Sequence, residues 1–70
     1  MLDNWEKVMT TPLAYRAELA KGVLGEQGID AVVVNKQSSA YPPFGTIEVF
    51  VPVKDAILAK IILENETTFG

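Results

Sequence analysis

The run Gly-Thr-Ile-Glu-Val-Phe-Val-Pro at residues 45–52 predicts a β-strand in the middle of a small sheet. Ile47, Val49 and Val51 alternate with the residues between them, and a period of two is typical of a strand. A glycine opens the run, and Pro52 closes it because proline has no N–H for the hydrogen-bond ladder. The rest of the chain is expected to pair with this strand or to pack on it.

Two further strands are predicted, at residues 4–10 and 29–35. In the first, alternation places Trp5 and Met9 on the same side of the sheet. The second is rich in β-branched residues, which favour strands. The loop at 36–44 joins it to the central strand, so these two strands are interpreted as an antiparallel hairpin with a long loop.

A first helix is predicted over residues 12–27, with Thr11 as its N-cap and a proline at its first position. Gly28 is placed to end the helix in a left-handed turn, with Ile29 packing back on Leu24 in a Schellman motif. The stripe expected to face the sheet comprises Leu13, Ala17, Ala20 and Leu24, flanked by Val23.

Gly22 and Gly25 lie inside this predicted helix, where each costs about 1 kcal/mol relative to alanine. Two explanations are open. Another segment packs closely against this turn, or the last turn of the helix is frayed.

A second helix is predicted over residues 53–64, with Asp55 in its first turn, where the helix dipole favours a negative charge. The side facing the sheet is expected to hold Ala56, Ala59, Ile62 and Leu63. Ile57, Leu58 and Ile61 fall outside that side. A helix that is apolar nearly all round is buried on more than one side, which predicts a further contact.

The element order is therefore β-α-β-β-α, and we predict one α+β domain with a core at about 4–64 and a tail at 65–70. The first helix crosses over the sheet and leaves a gap that the third strand fills. This gives a ferredoxin-like, three-stranded antiparallel sheet of order 1-3-2 with both helices on one face. The first strand is left as an open edge.

The composition excludes several kinds of site. The chain has no cysteine and no histidine, so it lacks disulfides, thiolate nucleophiles and the commonest metal ligand and general base. The spacing of the carboxylates along the chain does not bring any two of them together as a general acid–base pair. No glycine-rich phosphate-binding motif is present. We therefore expect neither an enzyme, nor a cofactor, nor a metal site.

The charge and the apolar runs bear on partners and location. A net charge of −3 without a basic run is unfavourable for nucleic-acid binding, although exposed aromatic residues on the sheet are typical of some RNA-binding domains. No charged N-terminal region precedes an apolar run, and the longest apolar run is far shorter than a membrane span. We expect a cytoplasmic protein with no nucleic-acid or membrane partner.

Five short motifs resemble a known family. They are Trp5-Glu6-Lys7-Val8-x-Thr10-Thr11, Ala17-Glu18-Leu19 leading to Leu24 and Gly28-Ile29, Asn35-Lys36-x-x-Ser39-x-Tyr41, Phe44-Gly45-x-Ile47-Glu48-Val49-x-Val51-Pro52, and Asp55-Ala56. The chain is similar, over about residues 5–63, to a bacterial family of unknown function described as signal-transducing proteins and grouped with the PII-like regulators. The resemblance implies a ferredoxin-like core. The chain lacks the long loop and basic phosphate-contacting residues of those regulators, so their nucleotide binding is not carried over.

The first functional hypothesis is a small non-catalytic interaction module. A 70-residue domain buries only about 60% of its unfolded surface, and self-association, most simply as a dimer, or another protein would supply more burial. The candidate interaction surface comprises Trp5, Met9, Phe50, Ile57, Leu58 and Ile61. The alternative is that a tail or loop of the same chain covers it.

The second hypothesis is a small-molecule-sensing domain with its ligand at the loop of residues 35–41. The candidate residues are Asn35, Lys36, Ser38, Ser39 and Tyr41. The alternative is an ordinary hairpin loop whose polar side chains bond their own backbone. Glu48 is also expected to form a cross-strand ion pair with Lys7 or Lys36.

Overall fold

The computed structural model describes residues 4–36 and 46–65. Along the chain these form β1 (Trp5–Thr11), α1 (Ala14–Glu26), β2 (Val32–Asn35), β3 (Ile47–Pro52), a 3-10 turn (Val53–Asp55) and α2 (Ala56–Asn65). This is the predicted β-α-β-β-α order of an α+β, ferredoxin-like fold. Gly45, expected to open β3, lies outside the described residues. Asn65, expected to begin the tail, ends α2 instead, and residues 66–70 lie outside the described residues. The assignment of one domain stays a prediction.

β3 lies at the centre of a three-stranded antiparallel sheet of order β1-β3-β2, as predicted. Val49 of β3 lies opposite Met9 of β1 and opposite Val33 of β2. α1 connects the two outer strands and leaves between them the space that β3 occupies. Among the described strands, β1 and β2 are therefore the edges of the sheet.

A β-bulge in β1 reverses the predicted orientation of Met9. Lys7 lies opposite Phe50 and Met9 lies opposite Val49, so Val8 is the extra residue. An extra residue shifts the alternation of side chains by one beyond the bulge. Met9 therefore lies on the helix side of the sheet and packs against the core. The prediction that Met9 lies on the same side of the sheet as Trp5 was wrong.

The core lies between the sheet and the two helices. The inward side chains of β3 are almost completely buried, with Ile47 at 1% exposure and Val49 and Val51 at 0%. Each such side chain contributes about 1.5–3 kcal/mol by leaving water. Alanines of both helices, which need little room, cover them: Ala17, Ala20, Ala56 and Ala59. β3 therefore supplies much of the hydrophobic stabilisation.

α1 begins later than predicted. Its N-cap is Leu13, which has no capping side chain, and the helix starts after Pro12 rather than at it. Thr11 ends β1, and its Oγ1 accepts a hydrogen bond from the Leu13 N–H at 3.1 Å. This is the local turn that a threonine hydroxyl forms with the backbone two residues on. Leu13 is 40% exposed, so its place in the buried stripe was wrong, whereas the other members of the stripe are buried as predicted.

The C-terminus of α1 has the predicted Schellman motif. Gly28 has a φ of 80°, which glycine adopts without steric cost. The Ile29 N–H donates to the Leu24 carbonyl at 2.9 Å, and the Gly28 N–H donates to the Gly25 carbonyl at 3.0 Å. Ile29 and Leu24 both lie in the core. This contact aims the chain toward β2.

The two glycines inside α1 differ from both expectations. A Cβ at Gly22 or Gly25 would meet no atom within 4 Å among the described residues. The helix nevertheless continues through both of them to Glu26. The prediction that another segment packs closely against this turn is therefore wrong for the described part of the chain. The prediction of a frayed last turn is also wrong.

α2 is preceded by a 3-10 turn, so the regular α-helix begins at Ala56 rather than at residue 53. Asp55 lies in that turn. Ala56 and Ala59 are buried as predicted. Ile62 and Leu63, which were expected to face the sheet, are partly buried and pack against the core.

Candidate interaction surface

The outward side of α2 is more apolar than a typical water-facing surface. Ile57, Leu58 and Ile61, here called the α2 stripe, are 77%, 52% and 48% exposed. Each helical residue advances about 100° around the axis. Because the two alanines of α2 face the sheet, these three side chains must point away from it. They lie outside the side that faces the sheet, as expected, and their role as a contact surface stays a proposal.

Charged residues border the α2 stripe. Lys54 is exposed before its first turn and Glu64 is exposed in its last turn. Val53, also in the 3-10 turn, is 51% exposed and extends the apolar area. On the side toward β1, the Lys60 ammonium lies 2.6 Å from Oε2 of Glu6. That pair anchors α2 over the edge strand and neutralises Lys60.

The open face of the sheet, away from both helices, holds a second apolar area. Its principal side chains are Trp5, Lys7, Val32, Val34, Glu48 and Phe50. Trp5 lies opposite Pro52, and Phe50 lies between Lys7 and Val32. Trp5 and Phe50 are each partly buried, and Val32 is 36% exposed. The apolar area therefore lies at the end of the sheet where β3 ends.

The other end of the open face is charged. Glu48 Oε2 lies 3.4 Å from Lys7 Nζ, and its Oε1 lies 3.4 Å from Lys36 Nζ. Burial alone would raise the pKa of the Glu48 carboxyl. Hydrogen bonds and charge from Lys36 and then Lys7 outweigh burial and hold that pKa below its ordinary value of 4.5. The predicted ion pair is thus a triad that joins β1, β3 and the end of β2.

A cleft of about 430 Å³ lies between α1 and β2. Its lining comprises Ala14, Glu18, Lys21, Ala31, Val32, Val33, Asn35 and Ile47. Glu18 and Lys21, both exposed, provide one charge of each sign at its α1 side. This cleft was not predictable from the sequence, because it forms between residues that are distant along the chain.

The proposed ligand loop is described only at its start. Asn35 lines the cleft, but Lys36 reaches Glu48 on the opposite face of the sheet. The alternation of a strand sends neighbouring side chains to opposite faces, so these two do not converge on one ligand. Ser38, Ser39 and Tyr41 lie outside the described residues, and their role stays a prediction.

Within residues 4–36 and 46–65, no group of three or more potential metal ligands is placed to hold a metal ion. None of the helices formed by these same residues is both long and apolar enough to cross a membrane. Every buried side-chain nitrogen and oxygen in the described part of the chain has a hydrogen-bond partner. The α2 stripe and the apolar area on the open face of the sheet are therefore the candidate functional features of the described residues.

Sequence reasoning missed two exposed side chains of α1. Tyr15 is 60% exposed and Leu19 is 47% exposed. They are four residues apart, opposite the buried stripe, and that spacing places them on one side of a helix. The spacing itself was a sufficient indication.

Comparisons of this chain with protein-family models, with curated proteins and with solved structures found no match. The resemblance to signal-transducing proteins therefore stays a prediction, and the fold assignment rests on the structure itself.

Proposed function

We propose that this chain is a small interaction module that self-associates and acts in regulation through protein–protein contact. The observation that carries the proposal is the α2 stripe. Three large aliphatic side chains lie side by side on one helix, each about half exposed or more. Single exposed apolar residues are common on protein surfaces, but contiguous ones mark contact sites.

The apolar area of the α2 stripe determines how strongly two copies are expected to associate. Fully burying one Ile, Leu or Val contributes about 1.5–3 kcal/mol. Covering the α2 stripe and Val53 in two copies would contribute about 10 kcal/mol in total, scaled by the exposed fraction of each side chain. Association costs about 4–15 kcal/mol. We therefore expect a weak dimer whose population depends on protein concentration, which suits a regulatory contact.

Sedimentation velocity over about 1–500 µM protein tests the proposal, because this range covers weak association. The wild-type chain is expected to shift from monomer to dimer. Ile61→Glu is expected to weaken the dimer at least about tenfold by placing a charge in the contact. Leu19→Glu is the matched control, because Leu19 is 47% exposed and Ile61 is 48% exposed, but on different helices.

A wild-type chain that remains a monomer over the whole range would overturn the proposal. Trp5→Glu distinguishes the two apolar surfaces. A loss of dimer with Trp5→Glu, and none with Ile61→Glu, would support self-association through the open face of the sheet instead of α2.

The cleft between α1 and β2 favours a second candidate function, the sensing of a small molecule. Its volume of about 430 Å³ is within the usual range for ligand sites, about 300–1,000 Å³. Asn35 supplies an amide at its wall, and Lys21 and Glu18 supply charges. A thermal-shift screen with nucleotides and metabolites is expected to identify a stabilising compound whose effect Asn35→Ala removes. Absence of any stabilising compound would contradict this function.

A further inference from the structure

We propose that the partner of α2 is α2 of a second copy, packed antiparallel about a two-fold axis. In this arrangement Ile57 lies against Ile61 of the second copy, and Lys54 lies opposite Glu64 of the second copy. The inference rests on the proposed function and specifies its geometry. A two-fold contact uses the same patch on both subunits, so the patch must be complementary to itself.

The spacing along α2 has this self-complementarity. Lys54, Ile57, Ile61 and Glu64 follow one another at intervals of three, four and three residues. The last three lie along one side of α2, and Lys54 lies in the 3-10 turn that precedes it. The intervals between these four residues are the same when they are counted from either end. The two end residues, Lys54 and Glu64, have opposite charges. The two-fold axis that pairs Ile57 with Ile61 of the second copy therefore also pairs Lys54 of each copy with Glu64 of the other.

The charges around the stripe agree with this arrangement. Lys54 and Glu64 are both exposed, and no ion pair among the described residues includes either of them. Lys60 is engaged with Glu6. Asp55, the remaining charge near the stripe among residues 46–65, is only partly exposed in the 3-10 turn. The antiparallel arrangement also brings the positive end of each helix dipole to the negative end of the other.

The other two surfaces suit a second copy less well. Face-to-face packing of two sheets would cover the triad of Lys7, Glu48 and Lys36, and charges removed from water carry a desolvation cost. Pairing through the β1 edge meets the bulge at Val8, and bulges are among the devices that discourage edge pairing. The α2 stripe has neither obstacle.

Charge reversal tests the geometry. Lys54→Glu alone and Glu64→Lys alone each place like charges opposite one another at both ends of the contact. Each is expected to raise the dimer Kd about tenfold at low salt, since two exposed ion pairs are replaced by two repulsions. The double variant Lys54→Glu/Glu64→Lys restores opposite charges and is expected to restore the wild-type Kd. The differences should shrink in about 1 M salt, where charges are screened.

Mixing the two single variants gives the sharpest result. A Lys54→Glu chain and a Glu64→Lys chain attract at both ends of an antiparallel pair, so the mixture is expected to dimerise more strongly than either chain alone. Far-UV circular dichroism checks that each variant is folded. A wild-type dimer whose Kd is unchanged by all three charge variants would overturn this geometry and leave self-association standing. A monomeric wild type would overturn both.

Discussion

Replacing Gly22 or Gly25 by alanine is expected to stabilise the protein. Both glycines lie within α1 (Ala14–Glu26), and neither has a positive φ. A Cβ at either position meets nothing within 4 Å in the described part of the chain. Alanine therefore fits without strain, and it restricts the unfolded chain more than glycine does.

The expected magnitude follows from position. An exposed interior glycine costs about 1 kcal/mol relative to alanine, and Gly22 lies in the helix interior. Gly25 lies in the last turn, where helical conformation is less strictly required, so its effect should be smaller. Together the two substitutions should add about 1.5 kcal/mol, or a rise in Tm of about 6–12 °C for a domain of this size.

Thermal and urea unfolding, followed by far-UV circular dichroism at one fixed protein concentration, measures these changes. A fixed concentration is needed because dimerisation would shift the apparent stability. Gly28→Ala is the matched control. It also has open space around a Cβ, but its φ is 80°, and alanine in the left-handed region costs about 1–2 kcal/mol.

The reasoning would be refuted if Gly22→Ala lowered the Tm. That result would mean that another surface packs against this turn in solution. A Gly28→Ala protein as stable as the wild type would likewise contradict the role assigned to the left-handed turn.

Two further predictions concern the core and the charged triad. Leu24→Ala is expected to reduce the free energy of unfolding by about 2–5 kcal/mol, because Leu24 is 0% exposed. In the same urea titration, Leu19→Ala should have a much smaller effect, because Leu19 is 47% exposed. Equal losses of stability in the two variants would contradict the assigned core. Glu48→Gln removes the carboxylate that accepts from Lys7 and Lys36, and the pKa of that carboxyl lies below 4.5 in the folded protein. The stabilisation that the ionised Glu48 carboxylate provides is therefore complete above pH 4.5. It is lost as the pH falls through the pKa that Glu48 has in the folded protein. The Tm difference between wild type and Glu48→Gln should be largest near neutral pH and should disappear in acid, whereas a difference that does not change with pH would contradict the ion-pair origin.

Local patterns in the sequence determined most of the secondary structure. Alternation of Ile47, Val49 and Val51 was enough to predict β3, because a strand buried on its helix side needs that period. Its central position followed from the crossover of α1, which leaves a gap between the two outer strands. Gly28 followed by Ile29 predicted the end of α1, since the Schellman motif involves only neighbouring residues. The exposure of the α2 stripe followed from helical spacing once the alanines of α2 were assigned to the sheet.

Only the tertiary structure decided the features that depend on pairing between distant residues. The bulge at Val8 exists because β1 must match β3, and it moved Met9 from the open face into the core. The same pairing brought both Lys7 and Lys36 to Glu48, whereas the sequence predicted a pair with one or the other. Sequence periodicity describes one element at a time, whereas register, bulges and clefts are properties of two elements in contact.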